Sequence, residues 1–372
     1  DDQPDTISYT EVIDCCAKKG DASRAAYWMQ HMTEVNCNPN LACYNATINA
    51  CAKNGDITSA LHWFSEMRSW RVMPDIVSYN AVIDAHARKG DLLQVVWWFE
   101  QMTEAAVEPD VIVFNTILAT CARAGDHAEA QNWLRRMGSK NVKPDVASYN
   151  SIINACARKG NVKEAAVWLD KMRDATVTPD KISYSCIIDA CAKLGCHLQA
   201  VDWLEGMQQT ELKPDTISYT TVIDSCAKNG DPIAATRWLE KMRGVRLRPN
   251  VFSYTAVISS FAKKGQVQEA RQWLQYLTQA CLRADVVAWT AVLGACANAR
   301  PKNREYAEAL FREMINSGIK PSRVTLSTLA RALGAERAVA VCSELGLKSS
   351  CSTILALVNK AHPRDRVSLS VG

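Results

Sequence analysis

An aromatic residue returns every 35 positions along this chain: Tyr9, Tyr44, Tyr79, Phe114, Tyr149, Tyr184, Tyr219, Tyr254 and Trp289 follow one another without a slip. A fixed period of this length marks an array of one supersecondary unit that cannot bury its apolar face alone, so stacked neighbours must complete the core. The two or three globular domains that 372 residues would otherwise suggest give way to a single elongated stack. Function is therefore to be sought in columns of the array rather than in one pocket.

One unit shows the logic. Tyr149, Ile152, Ile153 and Cys156 are spaced i, i+3, i+4, i+7, the apolar stripe of an amphipathic helix. Gly160 suits the left-handed conformation that closes a helix, and Asn161 can cap the next one. That second helix carries Ala165, Trp168, Leu169 and Met172 on one face, and Pro179 ends it. The unit is a helix-turn-helix hairpin, and the spacing predicts nine of them: 6–40, 41–75, 76–110, 111–145, 146–180, 181–215, 216–250, 251–285 and 286–322. The ninth is two residues longer and has Arg300-Pro301-Lys302-Asn303 in its turn. Residues 1–5 read as the end of a preceding repeat, so any targeting segment would lie outside the chain; 323–347 read as a degenerate tenth, capping repeat, and 348–372 as a short helix near 353–361 and a frayed tail.

Composition excludes several classes. The net charge of +4 is too small to name a partner by itself. No apolar run reaches the roughly 18 residues of a membrane span. Seven of the 15 cysteines, Cys16, Cys51, Cys121, Cys156, Cys191, Cys226 and Cys296, share one column. Packed helices hold such neighbours about 9–10 Å apart, beyond the roughly 7 Å that a disulfide tolerates, so they read as small buried residues in a reducing compartment. Cys186, Cys191, Cys196 and His197 do not have zinc-ligand spacing, and there is no phosphate-binding glycine loop, so neither metal nor cofactor is predicted. Trp28, Trp63, Trp98, Trp133, Trp168, Trp203, Trp238 and Trp273 fill a second-helix column. They could stack on bases, but sharing a face with Ala and Met predicts burial between repeats.

Tyr-Asn or Tyr-Thr early in the unit, Ala-Cys-Ala-Lys in the first helix, Ala and Met in the second and Pro-Asp at the end together resemble the pentatricopeptide repeat family, in its subclass of uniform 35-residue repeats, over about residues 6–322. The Trp column departs from the family, which more often has an aliphatic residue there. The resemblance implies an all-α fold, a right-handed α-solenoid superhelix of stacked hairpins, that binds single-stranded RNA one base per repeat. It implies two base-selecting columns. The first follows the aromatic: Thr10, Asn45, Asn80, Asn115, Asn150, Ser185, Thr220, Thr255 and Thr290; the second ends the unit: Asn40, Asp75, Asp110, Asp145, Asp180, Asp215, Asn250, Asp285 and Ser322.

Chemistry makes that assignment intelligible. Asp only accepts, which suits the protonated ring nitrogen of G or U, whereas Asn also donates and can meet the bare ring nitrogen of A or C. A longer Asn in the first column reaches a pyrimidine, and Thr or Ser leaves room for a purine. Read in the direction in which the family binds RNA, the pairs spell 5′-AUUUUGAG-3′, with some tolerance of C in the U run and a purine at Thr290/Ser322. Solvation of the first column and helix capping by the second are the competing structural readings.

Two further columns recur. Lys18, Lys53, Arg88, Arg123, Arg158, Lys193, Lys228 and Lys263, interrupted at Asn298, place one cation per repeat; the resemblance implies phosphate contact along a concave face, while a helix C-terminus favours cations in any case. Ile7, Val77, Ile112, Ile182, Ile217, Phe252 and Val287, with the smaller Ala42 and Ala147, form an apolar column that in the family sandwiches each base and that inter-repeat packing would explain equally. Catalysis is not indicated: the His-x-Glu and Cys-x-x-Cys motifs of the deaminase-like domain that ends some relatives do not follow the repeats. The expected protein is thus a non-enzymatic RNA binder without a membrane or small-molecule partner, placed by analogy in a chloroplast or mitochondrion, where it would act in RNA stabilisation, processing or translation. The alternative is a protein-binding α-solenoid, a structural subunit of an organellar ribosome or another assembly.

Overall fold

Short-range signals account for both helices of unit 146–180 and for the turn between them. In the computed structural model, which describes residues 5–361 other than Glu211, Gly160 adopts φ +78° after the first helix. Asn161 then accepts from the Glu164 amide at 3.2 Å to begin the second. Tyr149, Ile152, Ile153 and Cys156 are all buried, as are Ala165, Trp168, Leu169 and Met172. Each fully buried Ile is worth about 1.5–3 kcal/mol of apolar burial.

The regular structure of the described residues is all helical, with 21 helices in chain order and no strand. They divide into two compact units that meet within one helix, after Ile187. The first unit contains α1 (Thr6–Lys19), α2 (Ala22–Glu34), α3 (Leu41–Lys53), α4 (Ile57–Ser69), α5 (Ile76–Lys89), α6 (Leu92–Glu104), α7 (Val111–Ala124), α8 (His127–Ser139), α9 (Val146–Arg158), α10 (Val162–Asp174) and the start of α11 (Lys181–Lys193). Odd-numbered helices pack in a row, α1 on α3, α3 on α5, α5 on α7 and α7 on α9, and each even-numbered helix up to α8 lies against its own partner and the next odd one.

The second unit continues with α12 (His197–Gln209), α13 (Thr216–Lys228), α14 (Pro232–Gly244), α15 (Val251–Lys263), α16 (Val267–Gln279), α17 (Val286–Asn298), α18 (Arg304–Asn316), α19 (Arg323–Leu333), α20 (Ala335–Glu344) and α21 (Lys348–Ala361). Its odd row runs α13, α15, α17, α19, with α20 and α21 packed on α19. Helix α21 starts five residues before the predicted Thr353. The Ser350 and Cys351 amides already bond the Leu347 carbonyl, at 3.0 and 3.3 Å, so the helix is under way before Thr353. The predicted preceding-repeat residues 1–4 and the tail after Pro363 lie outside the described residues.

Glycine matters most where two turns meet. At Gly265, φ is +70° and an added Cβ would lie 2.9 Å from the Ala299 backbone. Seven return loops do without glycine: Asn36, Arg71, Ala106, Asn141, Thr176, Arg246 and Cys281 follow the second helix at φ between 56° and 60°, whereas Gly318 and Gly346 hold the position after α18 and α20. Local bonds back into the helix end, such as Val177 N–H to the Met172 carbonyl and Thr176 N–H to the Arg173 carbonyl, close each loop in this left-handed turn whatever the side chain.

Candidate nucleic-acid interface

The residue closing each unit is the N-cap of the next odd-numbered helix. Asp75, Asp145 and Asp180 accept the amides of Ser78, Ser148 and Ser183 at 3.0, 2.9 and 2.9 Å. Asp110 accepts from Ile112 and Val113, Asp215 from Ser218, Asp285 from Ala288 and Ser322 from Thr325. Asn40 and Asn250 cap in the same way, through Oδ1 toward Cys43 and Ser253. Capping was the structural reading of this column, and it has a chemical consequence. It engages one oxygen of every residue, so Asp retains Oδ2, an acceptor, while Asn retains Nδ2, a donor. Among the described residues no hydrogen bond reaches Oδ2 of Asp75, Asp145 or Asp180.

The two selector columns meet where the first is Asn. Asn45 Nδ2 donates to Asp75 Oδ1, Asn115 to Asp145 and Asn150 to Asp180, each at 3.0 Å. Burial alone would raise the Asp145 carboxyl; bonds from the Ser148 amide, Asn115 and the Ser148 hydroxyl outweigh it and hold the pKa below the ordinary carboxylate value. Asp180 is lowered with the same balance, burial opposing bonds from Ser183 and Asn150. Both are acceptors at neutral pH.

A neighbouring column that the sequence reading passed over completes the arrangement. The residue just before the aromatic of the following repeat, Ser78, Ser148 or Ser183, donates its hydroxyl to Oδ1 of Asn45, Asn115 or Asn150 at 2.5, 2.6 and 2.6 Å. The signal was present, since Ser8, Ser78, Ser148, Ser183, Ser218 and Ser253 recur there, but a small polar residue on a first helical turn has no distinctive meaning until its partner is seen. The same position serves the Thr selectors. Thr10 meets Cys43 Sγ at 3.1 Å, Thr220 meets Ser253 at 2.8 Å and Thr290 meets Thr325 at 2.7 Å. Thr255 faces Ala288 in this column and bonds its own helix at the Val251 carbonyl, 2.8 Å. For Asn80 the corresponding residue is Val113, and Asn80 Oδ1 is buried without a partner among the described residues. Ser185 is half-buried.

The basic column is exposed throughout, and its local partners fall into two kinds. Lys18, Arg88, Lys193 and Lys228 pair with an Asp one turn earlier, Asp14, Asp84, Asp189 and Asp224, at 2.5 to 2.7 Å. Where that position is not acidic, the cation reaches carbonyls ending the preceding odd-numbered helix: Arg123 to Ala87, Arg158 to Arg123, Lys263 to Ala227 and Lys228. Asn298, the break in the column, makes the same bridge to Ala262 at 2.9 Å. A neutral amide doing so shows that bonding a helix C-terminus is one task of this position. Lys53 has neither an acid at residue 49 nor a described bond.

The apolar column is exposed, which packing between repeats cannot explain. Ile7, Ile112, Ile182, Ile217, Phe252 and Val287 are 55 to 69% accessible, and Val77 is 51%. Val324 of α19 continues the series. Each sits one residue into an odd-numbered helix, three before the selector and two after the capping residue. The Trp column is the opposite case. Trp63, Trp133, Trp168, Trp238 and Trp273 are buried and Trp28, Trp98 and Trp203 half-buried, with Lys171 and Lys241 over the rings of Trp168 and Trp238 at 4.0 and 4.3 Å. Six of the seven column cysteines are buried and Cys16 half-buried, all as free thiols, and burial pushes Cys121 and Cys156 up to about 12. Among the described residues no cluster of three or more His, Cys, Asp or Glu could hold a metal, and no helix is long and apolar enough to cross a membrane.

Comparison with known proteins identifies the repeat. Family models match almost end to end: the pentacotripeptide-repeat region of PRORP over residues 42–210, the PPR repeat family over 214–263, the pentatricopeptide repeat domain over 1–54 and 274–336, and the PPR repeat over 252–280. A search of curated proteins finds no match. Among solved structures, the pentatricopeptide repeat protein PPR10 in complex with an 18-nt psaJ RNA element matches with a TM-score of 0.51 and 21% identity, over 96% of this chain and 57% of that one. A cysteine-to-serine variant of the same complex gives the same figures. The PPR domain of Arabidopsis thaliana protein-only RNase P 1 in complex with tRNA matches at 15% identity over 52% of this chain and 95% of that one, TM-score 0.40. This chain thus spans little more than half the length of PPR10. With the 35-residue period, the capped helical hairpins and family models running from residue 1 to 336, the chain belongs to the pentatricopeptide repeat family.

Proposed function

We propose that this chain is a sequence-selective single-stranded RNA-binding protein that contacts one base per repeat, with 5′-AUUUUGAG-3′ as its core target. The observation that carries the reading is the exposed apolar column: large side chains stand open once per repeat, beside a capping residue that keeps one hydrogen-bonding atom unused. Flat bases held between apolar side chains, with their edges against that atom, use both features. The RNA-bound state of PPR10, which shares the fold, supports RNA as the partner class. The protein acts by occupancy, masking or remodelling a transcript rather than cleaving it, and its placement in a chloroplast or mitochondrion rests on the family resemblance alone.

Fluorescence anisotropy with labelled AUUUUGAG and a scrambled octamer, at about 0.15 M salt, tests the proposal. Selective binding of the first is expected; equal binding would discard the selector assignment. A protein-binding solenoid would show weak binding to both, and it would lack the log–log salt slope of about −0.7 per neutralised phosphate.

A further inference from the structure

The geometry points to a positioning residue for base selection that lies in the next repeat: the side chain before the aromatic locks the preceding selector amide, and Val113 leaves repeat 76–110 without that lock. The inference rests on the RNA-binding reading above. Four repeats share the same Asn/Asp pair, and they differ at this neighbour. Where it is Ser78, Ser148 or Ser183, the hydroxyl donates to Asn Oδ1 and the Asn Nδ2 donates to Asp, so both ends of the amide are determined. Turning that amide over would set its oxygen against a carboxylate oxygen and is strongly disfavoured. Where the neighbour is Val113, fully buried, Asn80 Oδ1 is buried without a partner and no bond from Asn80 to Asp110 forms. One substitution thus coincides with the loss of both bonds.

The consequence is for the base. In a locked repeat, one Nδ2 hydrogen is used by Asp and the other remains, so the pair offers a donor from Asn beside the unused Asp Oδ2 acceptor. Uracil presents the matching donor and acceptors; cytosine puts a bare ring nitrogen against the carboxylate. In repeat 76–110 the amide of Asn80 can turn to present either its oxygen or its nitrogen, so one of the two constraints on the base is relaxed. Identical selector pairs therefore read with different stringency, and the third base of the target is the permissive one.

The test compares AUUUUGAG with AUCUUGAG and AUUCUGAG on the whole chain. Wild type should penalise C at the fourth base roughly threefold to tenfold more than at the third, the worth of one net hydrogen bond. Val113→Thr, close to Val in volume and with a precedent in the Thr290–Thr325 bond, should raise the third-base penalty to that of the fourth; Val113→Ser provides a second route to the same hydroxyl. Ser148→Ala should lower the fourth-base penalty alone. Equal penalties at the two positions in wild type, or no response to these variants, would overturn the inference. Absence of binding to all three oligonucleotides would instead sink the RNA reading. The lock itself is then tested without RNA: in protein with ¹⁵N-labelled Asn, the Asn80 amide protons should exchange with water faster than those of Asn115, and equal rates would refute it.

Discussion

Replacing Asp145 by Asn isolates the atom on which base choice is argued to depend. Asp145 uses Oδ1 to cap α9 through the Ser148 amide and to accept from Asn115, at 2.9 and 3.0 Å. In Asp145→Asn the amide oxygen can keep both bonds, and Asn caps as well as Asp. The fold loses only the charge assistance of those bonds, about 1 kcal/mol or less. The atom that changes is the outward one, from the acceptor Oδ2 to the donor Nδ2. The fourth base should therefore switch from U toward C, by about 1–3 kcal/mol per pair of base-edge bonds, or roughly fivefold to 150-fold. Asp145→Ala provides the contrast, losing the cap at a cost of about 1 kcal/mol along with preference of either kind. The assay is competition anisotropy with AUUUUGAG and AUUCUGAG, beside urea unfolding of each variant. Unchanged U preference in Asp145→Asn would refute the reasoning, because no other group of that repeat has been assigned the ring nitrogen. The lowered Asp145 and Asp180 carboxyls add a pH signature. Their contribution to stability is full above the unfolded-state value of about 3.9 and is lost as pH falls through the lower folded value, so U preference should persist to about pH 4.

Three other perturbations separate the columns. Ile112→Ser and Ile182→Ser remove side chains that are more than half exposed; each should cost RNA affinity about 1 kcal/mol or more with little change in urea midpoint, and a stability loss without an affinity loss would return the column to packing. Lys53→Glu should weaken RNA binding more than Lys228→Glu, because Asp224 already pairs with Lys228 at 2.7 Å; equal losses in salt titrations would show that the ion pair opens on binding. His86 occupies the cysteine slot of its repeat, with both ring nitrogens buried and unpartnered and its pKa lowered, mainly by burial. His86→Cys should stabilise the fold by about 1–3 kcal/mol. Since the unfolded imidazole binds a proton that the folded one refuses, wild type should lose stability as pH drops below about 6.5; that slope should flatten in the variant, and a pH-independent difference would contradict the burial argument.

Much of this was legible in residue order because the forces concerned act over a few positions. The period of Tyr9 to Trp289, the Gly160 turn and the apolar stripe of Tyr149 to Cys156 specify a helical hairpin, and hairpins with one open face must stack. The burial of five of the eight column Trp and six of the seven column Cys followed from the same face. Other features were hidden for reasons that are equally physical. The left-handed residues of the return loops, Thr176 among them, have no common side chain to announce them.

The amino-acid sequence by itself determined the repeat, the helices and the columns, since periodicity and capping are local properties of the chain. Only the tertiary structure decided what the columns present. Stacking ties Asn115 to Ser148 across 33 residues, exposes Ile112 while burying Trp133 and bonds Arg158 to the Arg123 carbonyl of the preceding repeat. Each outcome depends on which atom of one repeat faces which atom of the next. Val113 is an ordinary core residue in the sequence, and only the unpartnered oxygen of Asn80 beside it reveals what its lack of a hydroxyl does.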